Sequence, residues 1–305
     1  MESVAEQRAG RLAPAGLAVS ALAISTSAPL VLASGADPLA IAAWRLLFMT
    51  AIVFTALAAL GRAGSLRLPA QDAAMLLALG LVLGAHFGLW ITSLKMTTVA
   101  ASVVLVTSHP LMVAVLSHAM LKEKLTWATV TGVLVAFGGV VLLFAEDLAD
   151  AGRLAGDVLA LGGAAALGVY LIGGRAKRRA GLPVLAYTTY VYGGAAAGLM
   201  AAALAAGTHL HPLPTQEFVL FLVMALVPGM AGHTMYNWAL RYIRATVVSV
   251  THLLEPIGAS LLVLWLFGQQ PPAGTAVGAA LTLLGILVVA RSEARAQAAV
   301  ERPGG

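Results

Sequence analysis

Long apolar runs of nearly constant length alternate along this chain with short polar ones. Ten of them stand out, at residues 12–34, 38–61, 71–94, 97–121, 126–145, 154–175, 182–206, 216–240, 245–268 and 273–291. Each is close to the roughly 20 residues a helix needs to cross the hydrocarbon of a bilayer. The runs are almost uniformly apolar, which no soluble core requires, so the pattern predicts an all-α integral membrane protein of ten transmembrane helices. The first run is too long for the apolar region of a signal peptide and is expected to stay in the protein. The longest polar intervals are about a dozen residues, which leaves no room for a domain outside the membrane.

Composition agrees: 60% of residues are hydrophobic and 10% charged, with a mean hydropathy of +0.92. The absence of cysteine removes disulfides, thiol catalysis and thiolate metal sites. The net charge is +5, but the basic residues gather at the ends of the runs rather than on one continuous face. They therefore report topology, not nucleic-acid binding. With the N-terminus inside, the cytoplasmic segments carry Arg8, Arg11, Arg62, Arg67, Lys122, Lys124, Arg175, Lys177, Arg178, Arg179, Arg241, Arg244, Arg291, Arg295 and Arg302. Only Lys95 and Arg153 fall outside, with Arg45 inside a helix, while the acidic cluster Glu146, Asp147, Asp150 and Asp157 faces the other way. This predicts an inner (plasma) membrane protein with both termini cytoplasmic. The expected partners are the lipid bilayer and a small-molecule substrate. Neither a cofactor nor a nucleic acid is called for, and a monomer is compatible with the pattern.

Sliding the sequence by 146 residues places Leu94 on Leu240, Lys95 on Arg241, Pro110 on Pro256, Gly132 on Gly278 and Gly139 on Gly285. A displacement of five spans reverses orientation because five is odd. The chain therefore divides into two inverted five-helix repeats, residues 1–146 and 147–305, of the kind that encloses a central cavity in carriers.

Trp44 and Arg45 early in the second span, the run from Leu94 through His109 and Pro110 to Lys122, Glu123, Lys124, Leu125, Thr126 and Gly132, and Leu254, Glu255 and Pro256 in the ninth resemble the paired EamA domains of the drug/metabolite transporter superfamily. The resemblance covers essentially the whole chain. It implies ten helices, inverted halves, a central cavity and export of small metabolites. Within that family the chain is most similar to the aromatic amino acid exporters of the YddG type. One departure is visible: the family usually closes both the fourth and ninth helices with Glu, whereas Gln269 and Gln270 stand at the second place.

Polar groups in hydrocarbon are costly unless they face a cavity or a partner, so those at mid-span are the functional candidates. His86 and Trp90 lie one turn apart on the third span, and His233 and Asn237 repeat that spacing on the eighth, with Tyr236 and Trp238 beside them. Spacing of i, i+4 puts each pair on one face. The two pairs are read as equivalent in the repeat, lining one volume suited to a polar head and an aromatic body; the bland alternative is that each His bonds a neighbouring carbonyl and glues the bundle. His118 is read as interfacial, and His209 and His211 as loop residues.

Pro110 after His109 and Pro256 after Glu255 break the fourth and ninth spans at their centres, and such breaks are tolerated where they line a cavity. Glu255 is the sole mid-depth carboxylate. Either it exchanges a proton in each cycle or it is locked by Arg45 or His252. These five residues, His109, Pro110, His252, Glu255 and Pro256, are the candidates for coupling or gating. Arg45 either snorkels, makes a helix-terminal contact or meets a substrate carboxylate. Tyr170, Tyr187, Tyr190 and Tyr192 are read as belt aromatics. Ser25, Thr26, Ser27, Ser102, Thr107 and Ser108 either hydrate a cavity or bond back to their own helices. Gly80, Gly84 and Gly88, and Gly194 with Gly198, form ladders for close helix packing.

A carrier fits these features best. No GxxxxGK[ST] occurs, so ATP hydrolysis by this chain is excluded, and transport is facilitated or ion-coupled. An integral membrane enzyme acting on a lipid-borne substrate is the alternative. Against it, the chain has no HExxH, no GxSxG and no close group of carboxylates.

Overall fold

The computed structural model describes residues 4–123, 125–143, 145, 154–210, 214–267 and 273–301. Lys124, Glu146, Asp147, Asp150, Arg153, His211, Gln269, Gln270 and Arg302, named above, lie outside the described residues. So does the expected boundary between the halves. The described residues are helical, and no strand occurs among them.

The first half contains α1 (Val4–Ile24) and α2 (Ser27–Ala33), which together make the first span, then α3 (Pro38–Ala59) and α4 (Ala70–Met96). The fourth span is α5 (Val99–Val106) with α6 (His109–Leu121), and the fifth is α7 (Trp127–Leu143). In the second half follow α8 (Leu154–Arg179), α9 (Val184–Ala205) and an eighth span built of α10 (Thr215–Met224), a π-helical segment (Ala225–Thr234) and α11 (Met235–Ala239). The ninth span is α12 (Ala245–Thr251) with α13 (Leu254–Phe267), and α14 (Ala273–Glu301) is the tenth. Eight of these units are long and apolar enough to cross a membrane by length and composition. The short α7 narrowly misses on length. The full-length α9 is diluted by the tyrosines, threonines and glycines of its first half.

The 146-residue displacement reappears in the helix starts. Pro38 and Val184, Val99 and Ala245, and Trp127 and Ala273 open equivalent helices at that spacing. Gly61 and Gly207, also 146 apart, close α3 and α9 at φ +64° and +68°, a conformation that favours glycine because it carries no Cβ.

The orientation of the halves follows from α7 and α14, which pack along their length. A Cβ on Gly132 would stand 2.9 Å from the Gly285 carbonyl oxygen, and one on Gly139 2.7 Å from that of Gly278. As one number rises the other falls, so the helices are antiparallel. The displacement maps 132 onto 278 and 139 onto 285, which makes each contact the image of the other. Such reciprocity requires a two-fold axis crossing between the helices at right angles to them, in the membrane plane. Elsewhere α4 packs on α9 through the predicted glycines: a Cβ on Gly84 would meet the Ala195 carbonyl oxygen at 3.1 Å and one on Gly194 the Leu77 oxygen at 2.6 Å. In lipid, where apolar contact alone gains little, such backbone approach is a main source of helix association.

The two ends of the bundle are tied differently. On the basic end lie all four ion pairs among the described residues: Arg175–Glu123 at 3.1 Å, Lys177–Asp72 at 2.5 Å, Arg244–Glu293 at 2.6 Å, and Arg241–Glu6. Arg175 also donates to the Leu240 carbonyl at 2.7 Å, so one buried guanidinium joins α6, α8 and the end of the eighth span. The opposite end is held by hydrogen bonds: Ser34 and the Gly35 amide donate to Glu217 at 2.5 and 2.8 Å, Lys95 to the Ser34 carbonyl at 3.0 Å, and Thr97 to Asp157 at 2.7 Å.

Candidate functional site

Three spans break at similar depth, and their breaks meet. The first opens between Ile24 and Ser27, the fourth between Val106 and His109, and the ninth between Thr251 and Leu254. A broken helix leaves carbonyls without their usual amide partners, and here hydroxyls and imidazoles supply the hydrogen bonds. Ser25 and Thr26 donate to the Ala21 and Ala23 carbonyls at 2.8 and 2.7 Å, Thr107 to Val103 and Ser108 to Leu105 at 2.7 Å each, and Thr251 to Val248 at 2.7 Å. Of the two readings, back-bonding holds for Ser25, Thr26, Thr107 and Ser108 and makes non-helical backbone tolerable at membrane depth, whereas Ser27 and Thr107 line a cavity and Ser102 bonds Ser93 at 2.6 Å. Pro110 and Pro256 are buried just inside α6 and α13, where the missing donor costs least.

Around the breaks lies a cavity lined by Ile24, Ser27, His86, Trp90, Val106, Thr107, His109, Leu167, His233, His252 and Glu255. The space among these residues that admits a water-sized sphere is about 20 Å³, room for roughly one molecule. This conformation is therefore contracted. His86 holds the Gly163 carbonyl at 2.9 Å, His109 that of Val106 at 3.0 Å and His252 that of Val248 at 3.1 Å, each through Nδ1. A carbonyl only accepts, so Nδ1 carries the proton in all three, and Nε2 is the nitrogen left for other contacts. His86 stacks on Trp90 with ring planes 4° apart, His109 meets His252 edge-on at 5.1 Å, and Tyr236 lies flat on His252 at 4.0 Å.

Six of the expected residues thus come together: His86, Trp90, His233, His109, His252 and Glu255. Tyr236 backs His252 from outside the lining. Asn237 is turned away. It accepts from Tyr170 at 2.6 Å and donates to Tyr192 at 3.2 Å, and Tyr192 pairs with Thr234 at 2.9 Å. Trp238 packs against α1 at Gly16 and beside Tyr242, also away from the cavity. The two imidazoles on the third and eighth spans are one residue out of register: the displacement puts His233 on Phe87 and Tyr236 on Trp90. Phe87 and His233 touch edge-on at 5.1 Å, so repeat-related positions do meet, with different side chains. His109 and Glu255, 146 apart, are likewise equivalents that both line the cavity.

Other residues correct the sequence reading. Tyr170, Tyr187 and Tyr192 are fully buried, not belt aromatics; the hydroxyls of Tyr170 and Tyr192 find partners inside the bundle, while that of Tyr187 has none among the described residues. Tyr190, at the edge, donates to the Leu66 carbonyl at 2.7 Å. Arg45 does not snorkel. It is 0% exposed, donates from Nη1 to Ser27 Oγ at 3.0 Å and places its guanidinium carbon 4.5 Å from the centre of the Phe87 ring. Neither Arg45 nor His252 locks Glu255 directly; Arg45 reaches the Glu255 carboxylate through its field alone. The signal for Arg45 was present in the sequence, as a charge seven residues inside an apolar helix.

The family profile described as the EamA-like transporter family matches residues 14–145 and again 154–291. This chain belongs to the EamA-like transporter family. Among curated proteins, the "Uncharacterized transporter YyaM" of Bacillus subtilis (strain 168) is 25% identical to this transporter over 205 residues, which is 65% of the present chain and 67% of the relative. A solved crystal structure, titled only as that of a protein, matches with a TM-score of 0.77 at 21% identity and covers 93% of this transporter and 98% of itself. That likeness concerns the fold. The cavity is built from broken helices of both halves.

Proposed function

We propose that this protein exports small metabolites, chiefly neutral and aromatic amino acids, across the inner membrane by alternating access and without ATP hydrolysis, as do the YddG-type exporters that its sequence resembles. One observation carries the reading: helix breaks from both halves converge on a single buried cavity that offers polar groups at one side and a stacked imidazole–indole pair at another. A substrate with a polar head and an apolar or aromatic body is its chemical complement. The contracted volume suits a state between openings. The two units, residues 1–146 and 147–305, would rock about the α7–α14 seam, and the ion pairs of the basic end would part when that end opens. Cytoplasmic termini are supported by the gathering of basic residues on that same end.

Purified protein in liposomes tests this directly. Vesicles preloaded with phenylalanine, threonine or a dianionic metabolite are followed with and without a pH gradient. Saturable flux of the first two and not of the third is expected. Rates that ignore the gradient would assign facilitated transport and remove Glu255 from coupling. Saturable flux of the dianion alone would overturn the substrate class.

A further inference from the structure

Two opposite charges are buried without meeting each other, Glu255 in the cavity lining and Arg45 behind it. Arg45 in α3 has one guanidinium nitrogen on Ser27, a lining residue. Its other two nitrogens, Nε and Nη2, have no hydrogen-bond partner among the described residues. These two are the pair whose N–H bonds run side by side along one edge of the fork, the edge that takes a carboxylate with two parallel hydrogen bonds. Across the breaks, Glu255 presents an Oε1 that also has no partner among the described residues. The pair feel each other's field, yet they are not among the ion pairs of the described residues. Buried polar groups are nearly always satisfied, and an exception calls for a reason. Trp90 adds a third unpartnered group, its indole Nε1–H, which can only donate.

The geometry points to a zwitterion site: the α-carboxylate of an amino acid docks on the Nε–Nη2 edge of Arg45, its α-ammonium on Glu255, and its side chain against the His86–Trp90 stack. This rests on the amino acid reading above and narrows it to a recognition element. Ser27 is the positioning residue. By fixing Nη1 it aims the free edge of the fork, and Phe87 supports the guanidinium from its face. The two charges come from different repeats, since Arg45 corresponds to Val191 and Glu255 to His109 under the 146-residue displacement. A bound zwitterion would therefore tie one half to the other.

The test is counterflow of labelled phenylalanine in proteoliposomes, competed by phenylalanine, by phenethylamine, which lacks the carboxylate, and by 3-phenylpropionate, which lacks the ammonium. Leaving one buried charge unmatched weakens binding by about tenfold or more, so each analogue is expected to compete at least about that much more weakly. Arg45→Lys should weaken phenylalanine and phenylpropionate but spare phenethylamine. Glu255→Gln should weaken phenylalanine and phenethylamine but spare phenylpropionate. Wild-type protein that takes both analogues as well as phenylalanine overturns the site, and this arm needs no variant to fold. Variants that melt like wild type yet lose all three compounds alike overturn it too. Wild-type protein that shows no counterflow of phenylalanine or threonine overturns the amino acid reading itself, a result distinct from indifference to the head group.

Discussion

Adjacent glycines on α7 should respond to the same substitution with opposite signs. Gly138 has nothing within 4 Å of the position a Cβ would take, whereas a Cβ on Gly139 would meet the Thr282 amide and hydroxyl at 2.5 Å and the Gly278 carbonyl at 2.7 Å. Ordinary contact begins near 3.4 Å, so α7 and α14 would have to separate by most of an ångström. Thr282 has little freedom to yield, since its hydroxyl is held by the Gly278 carbonyl at 2.9 Å. Gly138→Ala should raise stability by up to about 1 kcal/mol through helix propensity. Gly139→Ala should lower it by about 1–3 kcal/mol, the usual cost of overpacking. The repeat-related Gly285→Ala, aimed at the backbone of Gly132 and Ala136, should do the same. The double variant should cost less than the two singles together, because the first already opens the seam that strains the second. Titration with SDS from a mild detergent, followed by circular dichroism, measures all four. Equal stability of Gly138→Ala and Gly139→Ala would refute the close antiparallel seam, and with it the argument for inverted halves.

Glu123→Gln leaves the guanidinium of Arg175 buried beside a neutral partner. Loss of one member of such a pair costs about 3–5 kcal/mol, and the basic end should open, read by faster thiol labelling of a cysteine introduced at Ser117. The native chain has no cysteine to obscure the signal. Trp90→Phe removes an indole N–H that has no partner among the described residues, so its melting temperature should stay near wild type while phenylalanine flux falls. Loss of both together would mark Trp90 as packing alone. Asn237→Leu takes the acceptor from the Tyr170 hydroxyl and leaves that of Tyr192 only its bond to Thr234, and should destabilise by about 1–3 kcal/mol, with little change in substrate preference among the molecules that remain folded.

What could be read from the sequence was whatever the bilayer imposes on composition. A span must be apolar and long, loops must carry the charge bias, and equivalent helices keep glycine at equivalent places, so Gly132, Gly139, Gly278 and Gly285 announced the repeat, while the seam they form emerged only from the packing of α7 on α14. Which side of a span faces the interior left no such trace, because lipid and protein interior are equally apolar. Tyr170, Tyr187 and Tyr192 therefore read as belt residues and proved to be internal. Depth without direction also explains Arg45: its distance from Pro38 places it about 10 Å along the helix, but only the neighbours from other spans, Ser27 and Phe87, turn it inward. The eighth span was misjudged in phase for a local reason. Pro228 lies inside the π-helical segment, and where its wider turns pass into α11 Asn237 and Trp238 leave the face on which His233 lines the cavity.

The distortions are not shared equally. Each half bends its fourth helix, but only the leading helix of one half is interrupted, at Ser25 and Thr26, while its counterpart α8 runs unbroken; only the third helix of the other half is locally underwound into wide turns, while α4 is regular. A cycle that exchanged the shapes of two identical halves would have the same barrier whichever mouth opened. Unlike pivots give unlike barriers, so loading and unloading should proceed at different speeds even with equal concentrations on both sides. Such kinetic lopsidedness sets how fast the machine idles in each posture. It confers no net flow, which must still come from a gradient.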